Sequence, residues 1–139
     1  MTLEATTRLI EQFENHTLPK EQWTHEAHFI TAFWYCLHCP LPQAVQKITD
    51  GIKTYNISAG GQNTDSAGYH ETITLFYMAT MARYIITNGI TSICDEHIAA
   101  LLQENFIARD YLIHFYRKEV LQGRQARLGW VEPDYKGLL

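Results

Sequence analysis

Apolar residues recur along most of the chain at intervals of three and four, which is the spacing of one face of an α-helix. The stretch from Thr24 to about His38 is typical, and its apolar residues are Phe29, Ile30, Phe33, Trp34 and Leu37. No segment alternates apolar and polar residues for long enough to indicate a strand. The pattern therefore predicts an all-α protein.

Six helices are predicted, and capping and breaking residues set their ends. Thr2 and Thr24 are good N-caps, whereas Pro19 and Asn88-Gly89 interrupt the pattern. The helices are expected from Thr2 to Asn15, Thr24 to about His38, Pro42 to about Asn56, about Tyr69 to Asn88, Thr91 or Asp95 to Glu104, and about Ala108 to Leu121. The expected fold is a bundle of four main helices with one or two short helices and an irregular C-terminal tail.

The bulk composition narrows the function classes. The chain has 139 residues, which suits one domain over residues 1–139, and 46% of them are hydrophobic. Its net charge is -4 and no basic stripe is present, which argues against nucleic acid as a partner. No run reaches the roughly 18 apolar residues of a membrane span, and the N-terminus does not resemble a signal peptide. Three cysteines without a signal favour a cytoplasmic protein with free thiols.

Two short motifs, "WTHEAHF" and "GYHETIT", each place a His-Glu pair at the start of a predicted helix. His25 and His28 lie about 60° apart around one helix axis, so both can aim at one point. His70 heads the inward stripe of the fourth helix. Three imidazoles from two helices could hold a divalent ion such as Zn, Ni, Fe or Cu with one position open. The sequence thus predicts a metal site of His25, His28 and His70.

Glu26 and Glu71 are the candidate catalytic groups, because each lies beside a candidate ligand. Either could act as a base, orient an imidazole or ligate the ion itself. One difficulty is that the apolar face of the second helix centres near Glu26 and leaves His28 toward its edge. The reaction class would be metal-dependent hydrolysis or group transfer on a small molecule.

A loop rich in Gly, Ser and Asn, from Ser58 to Gly68, is long enough to be a binding or lid element. Asn63 within it and Tyr77 on the histidine stripe are candidate binding residues. The alternative function is therefore a non-catalytic module that binds or senses a small molecule with the same histidines, Asn63 and Tyr77. In a third interpretation, the histidines merely cap helices.

A rival metal site would use the cysteines. Cys36 and Cys39 form a CxxC pair, and Cys94 with His97 could complete a Cys₃His zinc site. Against this, Cys36 occupies an interior helical position, where a free thiol is a common small core residue.

The motifs resemble those of an uncharacterised family of small bacterial and fungal proteins. The resemblance rests on W-T-H-x-x-H from Trp23, YN-x₆-N-T from Tyr55, G-Y-H-x-T-x-T from Gly68 and AR-x-x-W-V-x-P-D from Ala126. It implies that the residues of these motifs matter, and it implies no activity. The architecture is also similar to the DinB-like bundles, which hold three histidines around a divalent metal.

The C-terminal tail carries Arg127, whose planar guanidinium suits a carboxylate or phosphate. We expect the tail to fold back near the loop from Ser58 to Gly68, where Arg127 would pair with Glu26 or Glu71 or bind an anionic group of a ligand. The competing interpretation is a solvated charge at a helix end. An exposed apolar helix face could also support a homodimer.

Overall fold

A computed structural model describes residues 1–135, and those residues form helices and turns without strands. The predicted all-α class is therefore confirmed. The α-helices are α1 (Leu3–Glu14), α2 (His25–His38), α3 (Leu41–Ser58), α4 (Glu71–Thr87), α5 (Asp95–Leu101), α6 (Lys118–Gln122) and α7 (Arg124–Leu128). The first four are the main helices of the bundle. No helix in this part of the chain is long and apolar enough to cross a membrane.

The second helix lies at the centre of the bundle and packs against α1, α3 and α4. Its buried side chains cover most of its circumference, because three neighbours surround it. They are Ala27, Phe29, Ile30, Thr31, Ala32, Phe33 and Tyr35. Burial on several sides means that both buried and cleft-lining residues are spread around this helix, beyond the single apolar face that the spacing predicts.

Local capping chemistry starts α1 and α2 where the sequence predicts. The Thr2 hydroxyl accepts a hydrogen bond from the Ala5 amide at 3.0 Å, and the Thr24 hydroxyl accepts one from Ala27 at 3.1 Å. Each bond satisfies one of the free amides of a first helical turn. The fourth helix, expected from about Tyr69, begins at Glu71 with His70 as its N-cap.

The predicted sixth helix, from Ala108 to Leu121, is wrong. The chain instead makes a 3₁₀ turn at Tyr111–His114 and then the short α6. Packing explains the break, since the rings of Tyr111, Phe115 and Tyr116 all approach Phe76 of α4, with centroids at 6.3, 5.0 and 5.9 Å. In a continuous helix Tyr111 and Tyr116 would point about 140° apart. Tertiary contacts override helix propensity here.

The C-terminal segment returns across α4 and lies beside the loop that follows α3. The buried Thr72 hydroxyl donates to the Gly129 carbonyl at 2.8 Å and accepts from the Val131 amide at 3.1 Å. Tyr116 adds a hydrogen bond from its hydroxyl to the Val131 carbonyl at 2.7 Å. This placement agrees with the tail position expected from the sequence.

Candidate functional site

Two adjacent clefts open between the main helices. The helix cleft, of about 430 Å³, lies among α2, α3 and α4 and is bordered by Arg109 and Leu112 of the segment after α5. The loop cleft, of about 570 Å³, lies between the same helices and the loop of residues 59–70. Four side chains line both: His28, Ile52, Ile73 and Thr74. The volumes lie in the range typical of small-molecule sites.

Apolar side chains form most of the helix cleft. They are Phe29, Ala32, Ile48, Ile52, Ile73, Met78 and Leu112. Only a few polar groups interrupt them: His25, His28, Thr74, Tyr77 and Arg109. A mostly apolar wall with a small number of polar groups is the usual composition of a small-molecule site.

Tyr77 supplies a hydrogen-bond donor to the helix cleft. Its ring packs edge-on against Phe29, with the centroids 4.8 Å apart. Burial raises the pKa of its phenol well above the ordinary value, and Tyr111 adds to that rise, so the hydroxyl keeps its proton. No hydrogen-bond partner of this hydroxyl occurs within residues 1–135. The group is therefore free to donate to a ligand.

His28 supplies an acceptor on the wall common to both clefts. Its Nδ1–H donates to the Thr24 carbonyl at 2.7 Å, and its ring lies on Trp23 with centroids 3.9 Å apart. Although the side chain is exposed to the clefts, the protein packed around it removes part of its hydration, and this desolvation lowers its pKa. His28 is thus neutral at pH 7, and the lone pair on its Nε2 has no hydrogen-bond partner within residues 1–135.

His25 lies one turn before His28 and lines the helix cleft as well. Its Nε2–H donates to the Ile107 carbonyl at 2.5 Å, which leaves the lone pair on Nδ1. The two histidines of "WTHEAHF" therefore come together on one wall, as the sequence predicts. Each keeps a single ring nitrogen available.

His70 lines the loop cleft, but the backbone uses both of its ring nitrogens. Nδ1 accepts from the Ile73 amide at 3.2 Å and so caps α4, while Nε2–H donates to the Leu121 carbonyl at 2.7 Å. Burial lowers the pKa of the ring, the Arg127 charge lowers it further, and the bond to Leu121 opposes both. His70 is accordingly a neutral helix cap without a lone pair for a metal.

The three histidines do not form a ligand set in this arrangement. No group of three or more His, Cys, Asp or Glu side chains is placed to hold a metal ion within the part of the chain that the structure describes. The same holds there for the rival cysteine set, whose His97 donates through Nδ1 to the Ser92 carbonyl at 2.7 Å. A metal at His70 would have to replace its two backbone hydrogen bonds.

The two candidate catalytic carboxylates lie outside the clefts. Glu26 is exposed on the first turn of α2 and lines neither cleft. Glu71 accepts a hydrogen bond from the Tyr69 hydroxyl at 2.6 Å, and that hydroxyl also meets the Thr49 hydroxyl of α3 at 3.1 Å. Burial, followed by the bond to Glu71, raises the pKa of Tyr69 to about 12. Glu71 therefore ties the start of α4 to α3.

Asn63 shapes the loop cleft from within the loop and does not line it. Its Oδ1 accepts from the Asn56 side chain at 2.9 Å and from the Tyr69 amide at 3.1 Å, while its Nδ2 donates to the Lys53 carbonyl at 2.9 Å. The loop passes so closely that a Cβ on Gly68, where φ is +82°, would lie 2.0 Å from the Gln62 carbonyl oxygen. Asn63 is thus a scaffold of the loop.

Arg127 fastens the tail to the same loop. Its Nη1 donates to the Gly68 carbonyl at 2.8 Å and lies 3.5 Å from the Tyr69 carbonyl oxygen. The expected pairing with Glu26 or Glu71 is wrong, because neither carboxylate forms an ion pair with Arg127 in residues 1–135. The guanidinium satisfies backbone carbonyls instead. A second ion pair, from Arg124 to Asp65 at 3.3 Å, joins the tail and the loop nearby.

Sequence reasoning missed Arg109, which lines the helix cleft. The sequence predicts a helix over Arg109 that does not form, so helical periodicity gives no indication of the side of the chain that Arg109 faces. No family model, curated protein or solved structure matches the chain. The family resemblance of the motifs therefore stays an expectation.

Proposed function

We propose that this protein is a non-catalytic module that binds or senses a small, largely apolar organic molecule in the helix cleft. The observation that carries the proposal is a cleft of about 430 Å³ with an apolar lining and an unpaired phenol at Tyr77. Burial of apolar ligand surface there would supply the affinity, at about 25 cal/mol per Å² before the costs of association.

Two polar groups would orient the ligand. Tyr77 can donate a hydrogen bond, and the neutral ring of His28 can accept one through Nε2. A site that offers one donor and one acceptor discriminates against molecules that leave these groups unpaired once the ligand covers them. The ligand expected here has an apolar body and at least one hydrogen-bonding substituent.

The test uses N-phenyl-1-naphthylamine (NPN), a neutral probe whose fluorescence rises in apolar surroundings. NPN is expected to bind the folded protein saturably. Ala32→Leu extends a side chain into the helix cleft, and we expect it to weaken NPN binding by roughly tenfold, the equivalent of about 1.4 kcal/mol of overpacking.

Ala79→Leu is the matched control, because Ala79 is an exposed position of α4 outside both clefts. It should leave NPN binding unchanged. Equal affinities for the wild type, Ala32→Leu and Ala79→Leu would place the probe elsewhere and contradict the proposal. Absence of saturable binding to the wild type would also contradict it.

A metal-dependent hydrolase or transferase is the second candidate. The observation in its favour is that His25 and His28 keep one free nitrogen each on the same wall, one helical turn apart. Elemental analysis of untagged protein tests it. A stoichiometric Zn, Ni, Fe or Cu content that His25→Ala abolishes would support the metal hypothesis, and a content near zero that added metal does not restore would reject it.

Two further sequence-based predictions belong to the same proposal. A cytoplasmic location is expected from the free cysteines, and a homodimer from an exposed apolar helix face. Ile86 on α4 and Leu128 on α7 are exposed apolar residues of that kind. Light scattering coupled to gel filtration decides between a mass near 16.1 kDa for a monomer and twice that mass for a dimer.

A further inference from the structure

We infer that the natural ligand of the helix cleft is an organic anion, whose carboxylate- or sulfonate-like head is bound by Arg109 at the cleft mouth. The inference rests on the proposed function and names the ligand class of the same site. It follows from the charges around the clefts, from the freedom of Arg109 and from the position of Tyr77.

The clefts carry a charge opposite to that of the whole chain. The chain has 15 Asp and Glu against 11 Lys and Arg. Within residues 1–135, however, no Asp or Glu lines either cleft, whereas Lys20 lines the loop cleft and Arg109 lines the helix cleft. A concave surface that holds only cations and neutral groups concentrates anions from solution.

Arg109 is available to a ligand. Among the other arginines, Arg8, Arg117 and Arg124 each have a carboxylate partner, Arg127 donates to the Gly68 carbonyl, and Arg83 lines neither cleft. Arg109 forms no ion pair in the described residues. The nearest carboxylate in the sequence, Asp110, lies outside the clefts. The guanidinium presents parallel N–H donors that match the two oxygens of a carboxylate or sulfonate.

The polar groups of the helix cleft also suit an organic anion. Tyr77 and Arg109 are the donors of this cleft, His25 and His28 each add an acceptor nitrogen on the α2 wall, and most of the remaining surface is apolar. An acceptor-rich head joined to an apolar body satisfies both features together. Arg109 would repel a cationic head, and no Asp or Glu of residues 1–135 lines the helix cleft to bind one. The cleft therefore disfavours cationic ligands.

A matched pair of probes tests the inference. NPN and 8-anilino-1-naphthalenesulfonate (ANS) share one aromatic body, and only ANS carries a sulfonate. We expect ANS to bind about fivefold more tightly than NPN at low salt, as suits an ion pair at a solvent-exposed mouth. That preference should shrink in high salt, because exposed charges are screened.

Two variants locate the effect. Arg109→Gln should abolish the preference for ANS, measured as the ratio of the ANS and NPN affinities, and saturable NPN binding by the variant shows that the cleft remains folded. Arg83→Gln is the control, since Arg83 is exposed on α4 and lines neither cleft. It should alter neither affinity.

The remaining outcomes separate the inference from the proposed function. If NPN binds and ANS binds no better, the inference is overturned while the proposed function stands. If the ANS preference persists in Arg109→Gln, the assignment to Arg109 is overturned. If neither probe binds the wild type, the proposed function fails and the inference falls with it.

Discussion

Thr72→Val tests whether the C-terminal segment is an integral part of the fold. Thr72 is fully buried, and its hydroxyl bridges the Gly129 carbonyl and the Val131 amide at 2.8 and 3.1 Å. Valine has nearly the same shape, so the substitution creates no cavity. It removes one donor and one acceptor and leaves two backbone groups of the tail without partners.

The magnitude follows from the two lost bonds. A hydrogen bond contributes about 1 kcal/mol net, so we expect a loss of about 2 kcal/mol in the free energy of unfolding. For a chain of this size the melting temperature should fall by about 7 °C. The midpoint of urea unfolding should fall by about 1 M.

Urea unfolding followed by tryptophan fluorescence measures the loss. Thr80→Val is the control, because the Thr80 hydroxyl donates only to the Phe76 carbonyl of its own helix, at 2.9 Å. That change should cost at most about 0.5 kcal/mol. A Thr72→Val protein that unfolds at the same urea concentration as Thr80→Val would refute the reasoning.

Gly68→Ala should lower the free energy of unfolding by about 3 kcal/mol or more, because a Cβ there would lie 2.0 Å from the Gln62 carbonyl oxygen. Gly60→Ala is the control, since Gly60 has φ +92° but open space around it, and urea unfolding should show a loss of only about 1–2 kcal/mol. The wild type should lose stability as the pH falls below about 6.5, since the lowered pKa of folded His70 lets the unfolded chain take up the proton first. His70→Asn keeps a cap for the Ile73 amide and should lose less stability than the wild type between pH 7 and 5. Equal losses in the two proteins would show that protonation of His70 does not cause the loss. Deleting residues 123–139 removes the contacts to Thr72 and Gly68 and should lower the melting temperature, and unchanged melting would show that the tail does not support the bundle.

The sequence predicted those features that depend on neighbours in the chain. Helical periodicity defined the four main helices, and Thr2 and Thr24 marked two of their starts, because a cap acts within one turn. The loop after α3 was also predicted, since a run of Gly, Ser and Asn cannot sustain a helix. The pairing of His25 and His28 on one wall follows from their spacing alone.

Contacts between distant parts of the chain could not be predicted in the same way. The aromatic rings that gather on Phe76 break the helix expected after Ala108, and that break brings Arg109 to the helix cleft. The role of His70 as a cap depends on the Leu121 carbonyl, 51 residues away. No local pattern distinguishes such a capping histidine from a metal ligand.

The central claim, that a small apolar molecule binds between α2, α3 and α4, is tested most directly by two-dimensional amide NMR during titration with NPN. The account predicts saturable shift changes centred on the lining of the helix cleft, at Ala32, Ile52 and Met78. Changes confined to exposed apolar positions such as Ile86 and Leu128 would contradict it.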